Sequence, residues 1–180
     1  MTKTKLNPVL PYIGIPVICF AWLLFRAGQT DTLAALRYMT LIVFGYITAV
    51  LDIKMKKIPN NLILVMLSAW VLIMAQSLIF EMETAIKPLI SSVIGFTVSG
   101  GMFMLVYLIS RKGLGGGDVK FIAAAGLYLG TAGILSAMLC GTVLAALTGM
   151  ALILLKKIGR KDPIPLAPFL YAGILITVFL

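Results

Sequence analysis

Residues 62–80 read LILVMLSAWVLIMAQSLIF, a run of 19 residues without a charged side chain. A helix of about 20 apolar residues is long enough to cross the hydrocarbon core of a bilayer. The rest of the chain is similar, since 61% of its 180 residues are apolar, 12% are charged and the mean hydropathy is +1.10. A soluble domain carries about twice that share of charge. The sequence therefore predicts an integral membrane protein.

Six further apolar segments surround this run and predict an all-α, polytopic membrane helical bundle. No polar linker or internal repeat divides the chain, so we expect one domain over residues 1–180, with an extra N-terminal helix within residues 1–30. We expect that first helix to be retained rather than cleaved as a signal peptide. The seven predicted membrane segments are 9–25, 33–51, 62–80, 88–109, 119–130, 132–155 and 164–180.

The fifth segment is short, because its 12 residues cover only about 18 Å as a helix, against a hydrocarbon core of about 30 Å. We expect it to begin within the glycine run that precedes it, or to lie in a locally thinned, water-accessible region.

Basic residues between the segments predict the topology. If all seven segments cross and the N-terminus is cytoplasmic, 12 of the 15 lysines and arginines lie on the cytoplasmic side, and Arg26, Arg37 and Lys87 lie outside. Without a crossing by the fifth segment, the basic cluster at 156–161 would fall on the wrong side. The positive-inside rule therefore favours a cytoplasmic N-terminus. The net charge of +9 is explained by topology and contact with anionic lipid, and predicts no nucleic-acid partner.

Several kinds of catalytic site are excluded by composition. The chain has no histidine, which removes Ser-His-Asp and Cys-His catalysis and the histidine-based zinc protease motifs. Its two cysteines, Cys19 and Cys140, lie far apart in apolar runs and cannot build a four-ligand metal site. We predict no metal.

Two of the six acidic residues stand out by position. Asp52 and Asp118 lie at the ends of predicted segments, on the same side of the membrane in the topology above. An ionisable group at membrane depth usually faces a cavity or a partner, which makes both candidates for function. The structural alternative is a helix-end charge, with Asp118 as an N-terminal cap and Asp52 as an interfacial anchor. The other four are expected to be solvated loop charges: Asp31, Glu81, Glu83 and Asp162.

The sequences around these two aspartates are unusual for membrane helices. Residues 111–121 read RKGLGGGDVKF, and four glycines within five residues suit a close backbone approach better than a helix interior. They lack the spacing and the preceding strand of a phosphate-binding loop. Residues 51–63 read LDIKMKKIPNNLI, where Pro59 ends the helical pattern and Asn60 or Asn61 can cap the next helix.

Together these stretches resemble the type IV prepilin peptidase family of membrane aspartyl proteases, including its short peptidase-only members. The family's first motif, an Asp followed six residues on by Ile-Pro-Asn, is matched by Asp52 and by Ile58, Pro59 and Asn60. Its second motif, Gly-x-Gly-Asp-x-Lys, is matched by four residues: Gly115, Gly117, Asp118 and Lys120.

A third stretch, IPLAPFLYAG at residues 164–173, is similar to the proline-rich segment that begins the family's last helix. The family more often has glycine where this chain has Ala167. The resemblance runs over residues 38–180 as a family-like core. The presenilin and signal-peptide-peptidase group is less similar, because Leu51 stands where that group has tyrosine.

The resemblance implies an aspartyl endopeptidase in which Asp52 and Asp118 share a water and a proton. The ionised carboxylate takes a proton from the attacking water, and the neutral one donates to the developing oxyanion. No metal or organic cofactor is implied. Gly115 and Gly117 would let the substrate backbone approach Asp118, and Lys120 would bind peptide, adjust a carboxylate or only set topology.

The implied substrate is a prepilin-like protein with a short basic leader and an apolar helix behind it. Cleavage would occur at the cytoplasmic boundary of the inner membrane of a prokaryote. Larger members of the family carry a cytoplasmic insertion with paired cysteine motifs, which is linked to N-methylation. This sequence shows neither, so we expect the peptidase activity, and N-methylation stays open.

The main alternative is a small proton- or cation-coupled transporter, with both aspartates as ion ligands on broken helices. Transport sites lie near the membrane midplane, whereas both aspartates here map to one face. A Ser/Lys hydrolase is disfavoured, because no serine lies near a buried lysine in the predicted topology. A purely structural subunit remains open if the two aspartates prove dispensable.

Overall fold

The computed structural model describes residues 14–26, 31–110, 114–156, 159 and 164–180, and all regular structure in these ranges is helical. The predicted all-α bundle is thus confirmed. In chain order the helices are α1 (Gly14–Arg26), α2 (Thr32–Met55), α3 (Asn60–Phe80), α4 (Met82–Ile109), α5 (Gly116–Leu154) and α6 (Ala167–Phe179). Within the described ranges α2, α3, α4 and α5 are long and apolar enough to cross a membrane, and α1 and α6 are shorter apolar helices.

Helix α5 combines the fifth and sixth predicted segments and is broken at Gly130. This residue has φ 67° and ψ −174°, a backbone conformation open to glycine and strained for other residues. An N-terminal arm (116–129) and a C-terminal arm (131–154) therefore meet at a kink, with no loop between them. As predicted, the short segment begins within the glycine run.

The direction of the bundle in the membrane stays a prediction, because many residues that decide it lie outside the described ranges. Residues 1–13 are outside, and they include Lys3, Lys5 and the start of the first predicted segment. Residues 111–113, which include Arg111 and Lys112, are also outside. So are residues 157, 158 and 160–163, which include Asp162.

The N-terminal arm of α5 forms the centre of the bundle. Residues 121–128 are all buried, and α5 packs against α2, α3, α4 and α6. Helix α4 approaches most closely where Gly95 faces Gly126, since a Cβ on either would lie 2.6 Å from the other's carbonyl oxygen. Small residues allow such close contact between membrane helices.

Three long-range hydrogen bonds fix helices around this centre. Trp70 Nε1 donates to the Leu127 carbonyl over 2.8 Å, and Tyr128 Oη donates to the Met66 carbonyl over 2.6 Å, so α3 is tied to α5. Trp22 of α1 is fully buried and its Nε1 donates to the Val178 carbonyl over 3.2 Å, which ties the N-terminal helix to α6. Large apolar side chains are exposed on the outside of the bundle, as lipid contact requires: Phe25, Ile79 and Leu108 are examples.

Candidate active site

Two separate helix ends bring Asp52 and Asp118 to the same end of the bundle. Asp52 lies in the last turn of α2, which ends where Lys56 takes a left-handed conformation (φ 50°) and its N–H bonds the Asp52 carbonyl over 2.8 Å. Asp118 lies in the first turn of α5. The side chains are 6% and 8% exposed and line one cavity of about 330 Å³.

The start of α6 holds the Asp52 carboxyl group. The backbone N–H of Ala167, the first residue of α6, donates to Asp52 Oδ2 over 3.1 Å. The first N–H groups of a helix have no partner within the helix and carry partial positive charge, which suits a carboxylate. The proline-rich stretch therefore contributes to the cavity through its backbone.

The two carboxyl oxygens of Asp118 have different surroundings. Oδ2 lies beside Gly115, the N-cap residue of α5, where a Cβ would be only 2.7 Å away. Oδ1 is buried and has no hydrogen-bond partner among the described residues. A buried polar atom of this kind is costly to leave unpaired, and it is common at functional sites. Oδ1 is thus free to hold a water, a proton or a substrate group.

The glycines of the second motif are required by space. A Cβ on Gly115 would lie 2.7 Å from Asp118 Oδ2, and one on Gly117 would lie 3.0 Å from the Ile58 Cβ. A Cβ on Gly116 would meet only a ring atom of Tyr107, at 4.0 Å. Gly115 has an ordinary extended backbone, with φ −75° and ψ 134°. Glycine is therefore favoured at this position because it leaves room for the Asp118 carboxyl group. The backbone conformation of Gly115 is one that other residues also adopt.

Lys120 and Asn60 join the two motifs. Lys120 Nζ donates to Asn60 Oδ1 over 3.0 Å, and both residues line the aspartate cavity. The prediction that Asn60 or Asn61 caps α3 is wrong, because Pro59 occupies the N-cap position and no side chain caps it. The side-chain oxygen of Asn60 is used by Lys120 instead. Pro59 starts α3 and is not among the residues that line the cavity.

The sequence of this chain matches a known family. The model of the type IV leader peptidase family matches residues 39–154, which include both aspartates. The chain belongs to this family. Its relatives include proteins named prepilin leader peptidase/N-methyltransferase from Bacillus subtilis (strain 168), Aeromonas salmonicida (strain A449) and Xanthomonas campestris pv. campestris, at 29%, 25% and 28% identity.

The aligned regions cover 73%, 91% and 67% of this chain, and 50%, 65% and 41% of those relatives in the same order. The chain thus spans about half the length of the Bacillus relative. No solved structure matches it.

Within this type IV leader peptidase fold, the cavity wall includes residues that the motifs did not predict. Lys56 and Lys57 line it beside the two aspartates, next to Ile58 of the first motif. By sequence position these lysines belong to the basic residues that predict the topology. The connection from α2 to α3 is short and directly follows Asp52, so its residues have to lie beside the aspartates. This short spacing in the sequence could have indicated that they line the cavity.

An apolar groove of about 360 Å³ adjoins the aspartate cavity. It lies between α3, α4 and the N-terminal arm of α5, and Leu67, Phe96 and Ala123 are among its lining residues. Asn60 and Lys120 line both the groove and the aspartate cavity, so their hydrogen bond marks the junction.

The described residues contain no group of three or more histidine, cysteine or carboxylate side chains that could hold a metal ion. Cys19 and Cys140 are free thiols.

Proposed function

We propose that the chain is an intramembrane aspartyl endopeptidase that removes the short basic leader from type IV prepilin or pseudopilin precursors. The observation that carries the proposal is the meeting of Asp52 and Asp118, from two helices, on one cavity at one end of the bundle. Membership of the type IV leader peptidase family and the names of the relatives support it. We place this end at the cytoplasmic boundary of a prokaryotic inner membrane, on the positive-inside argument.

The proposed chemistry needs only the two carboxyl groups and a water. One ionised carboxylate takes a proton from the water as its oxygen attacks the scissile carbonyl, and the neutral partner donates to the oxyanion. The Ala167 N–H positions Asp52, and the unpartnered Oδ1 of Asp118 is available to the reacting groups. The carboxyl group that took the water proton then gives it to the leaving amine as the C–N bond breaks. The hydroxyl of the collapsing intermediate returns its proton to the other carboxylate, which restores the pair.

The apolar groove suits the part of the substrate that follows the scissile bond. A prepilin-like substrate continues into an apolar helix, and the groove offers apolar side chains of α3, α4 and α5 directly beside the aspartates. In this arrangement the Asn60–Lys120 pair faces the peptide backbone near the cleaved bond. Lys56 and Lys57 can donate to peptide carbonyl oxygens from the opposite side of the cavity.

The transporter alternative gains no support from the fold. Both aspartates lie at helix ends, whereas transport sites lie near the midplane on discontinuous helices. Among the described helices the break is at Gly130 of α5, and a small cavity adjoins it. Arg37 lines this cavity together with uncharged residues, and no described carboxylate does.

Leader cleavage in membranes tests the proposal. We expect the wild-type chain to cut candidate prepilins, and Asp52→Asn and Asp118→Asn each to lose at least about 10³-fold in rate, because each removes one ionisable group of a unit. Glu83→Gln is the matched control: it also removes a carboxylate, but from the start of α4, away from the cavity.

Membrane levels of every variant are measured alongside. Full activity of either Asn variant, or a wild-type chain that inserts normally and leaves every prepilin of a broad panel uncut, would overturn the proposal.

A further inference from the structure

A second polar cavity lies at the opposite end of the bundle from the aspartates. It is formed where α2 begins, where α3 ends and where α4 begins. Asp31 lines it, and Asp52 follows Asp31 by 21 positions along α2, which is about 30 Å of helix. An outer part of about 410 Å³ and an inner part of about 150 Å³ share Arg37 and Pro88 in their walls, so the two adjoin at these residues. The inner part reaches the break of α5 at Gly130.

Arg37 is the one cation that lines this cavity within the described part of the chain. Its half-buried side chain lines both parts and forms no hydrogen bond or ion pair with any described residue. A guanidinium group has five N–H donors in a planar fork that matches phosphate and carboxylate groups. Because the side chain lies against the cavity, simple snorkelling to the membrane surface does not explain its placement.

Ser92 supplies an independent indication of a ligand. It lines the inner part, is 1% exposed, and its Oγ is buried without a partner among the described residues. The neighbouring Ser91 is fully used by the fold. Its Oγ accepts from the Thr131 N–H over 3.1 Å, and its carbonyl accepts from Thr131 Oγ1 over 3.1 Å. One serine therefore caps the kink, and the other has a hydroxyl that nothing in the described part of the fold employs.

The inner part has the character of a phosphate site. It combines the Arg37 guanidinium and the free Ser92 hydroxyl in the wall of one cavity, and both can donate hydrogen bonds to an anion. Its volume of about 150 Å³ is larger than a phosphate group requires.

The outer part has the opposite character. Asp31 and Glu81 line it, and they are the carboxylates that do so among the described residues. Thr84 and Pro88 also line this part, and because Pro88 has no N–H, the Thr84 carbonyl lacks its i+4 helical donor. These acceptors suit an ammonium group, and they would repel a free phosphate ion on its way to Arg37.

We propose that this cavity binds the headgroup of an aminophospholipid such as phosphatidylethanolamine. The phosphate lies at Arg37 and Ser92, and the ammonium group lies at the rim between Asp31 and Glu81. The N-terminal arm of α5 is too short to cross the whole hydrocarbon core, and the bound lipid occupies the space between the end of this arm and the membrane surface. The site is separate from the aspartate cavity, and the proposal does not depend on the peptidase activity.

Native mass spectrometry of the full chain, purified in detergent, tests the site. The probes are phosphatidylethanolamine, phosphatidylglycerol and inorganic phosphate. We expect one phosphatidylethanolamine to bind, at least about tenfold more tightly than the other two, and Arg37→Gln to weaken it by about tenfold. Lys87→Gln removes an exposed cation that lines neither part, and it leaves binding unchanged.

Ser92→Ala separates a ligand-binding role from a structural one. If the hydroxyl had no part in binding, its removal would leave lipid-induced thermal stabilisation unchanged, whatever its effect on the lipid-free protein. We expect instead unchanged or raised stability without lipid, and about threefold weaker phosphatidylethanolamine binding.

Equal lipid binding by wild type, Arg37→Gln and Ser92→Ala overturns the site. Binding of phosphatidylglycerol or inorganic phosphate as tight as that of phosphatidylethanolamine overturns the assignment of the ligand.

Discussion

The backbone N–H of Ala167 donates to Asp52 Oδ2 across 115 positions of sequence, over 3.1 Å. This bond joins the start of α6 to the end of α2 beside the aspartate cavity, in a bundle where α6 also packs along α5. Ala167 is fully buried, so its small side chain determines how closely the N-terminus of α6 approaches the carboxyl group. The last helix thus acts on the candidate site through its position.

Ala167→Gly and Ala167→Leu test this relationship. Glycine keeps the N–H and adds no volume, so leader cleavage should stay within about threefold of wild type. Leucine overpacks a buried position, at a cost of about 1–3 kcal/mol, and pushes the N–H away from Asp52. We expect a loss of at least about tenfold in kcat/KM with normal membrane insertion. Equal activity of both variants would show that the Ala167 bond does not position the carboxyl group.

Alanine substitutions along the glycine run should differ sharply between neighbours. A Cβ at residue 115 would lie 2.7 Å from an Asp118 carboxyl oxygen, and one at residue 117 would press on Ile58 at 3.0 Å, whereas one at residue 116 is 4.0 Å from its nearest neighbour. We expect Gly115→Ala and Gly117→Ala each to reduce leader cleavage by at least about 30-fold, and Gly116→Ala to change it by less than about threefold. Rates are measured at matched membrane levels. A uniform effect across all three would contradict the clearance argument and favour general loop flexibility.

The Asn60–Lys120 hydrogen bond should behave as a unit. It joins α3 to α5 beside the aspartates, and a hydrogen bond to a charged group contributes about 1.5–3 kcal/mol when buried and less in this exposed position. We expect Lys120→Met and Asn60→Ala each to lower kcat/KM for leader cleavage by about fivefold, and the double variant to be no worse than either single. Asn61→Ala, at the neighbouring exposed position, is the control. Additive losses would mean that the two side chains act separately.

Hydrophobic periods and motifs were enough to predict much of this fold. Apolar runs of about 20 residues can only be helices in lipid, because every backbone polar group has to be paired within the segment. The break of α5 was predicted near the correct residue, as a gap between two segments. Its form could not be predicted, because a glycine between two apolar runs is compatible with a loop or with a kink.

The candidate site was less predictable, for identifiable reasons. Motif spacing indicated Asp52 and Asp118, and they line one cavity. The N–H of Ala167 leaves no side-chain signature, because any residue except proline supplies a backbone donor. The cap predicted for Asn60 failed because α3 begins one residue earlier, with Pro59 at the N-cap position, and the Asn60 oxygen accepts from Lys120, 60 positions away, instead. Local rules locate a helix end only to within a residue or two, and they cannot indicate that a distant helix uses the same side chain.

Gly130 should tolerate a side chain poorly, for two separate reasons. Its φ of 67° disfavours any side chain, and a Cβ there would lie 2.5 Å from Ser91 Oγ, the atom that accepts from the Thr131 N–H. We expect Gly130→Ala to cost about 2–4 kcal/mol, from backbone strain together with the lost cap. This corresponds to a clear drop in the midpoint of thermal unfolding in detergent.

Gly101→Ala is the matched control for this prediction. Gly101 lies within α4, and a Cβ on it would have no neighbouring atom within 4 Å, so alanine should stabilise the helix by up to about 1 kcal/mol. Opposite shifts for the two variants follow if the kink at Gly130 is a fixed feature of the fold. If Gly130→Ala unfolds at the wild-type temperature, α5 can straighten without penalty, and the cavity at its break would then have no fixed wall.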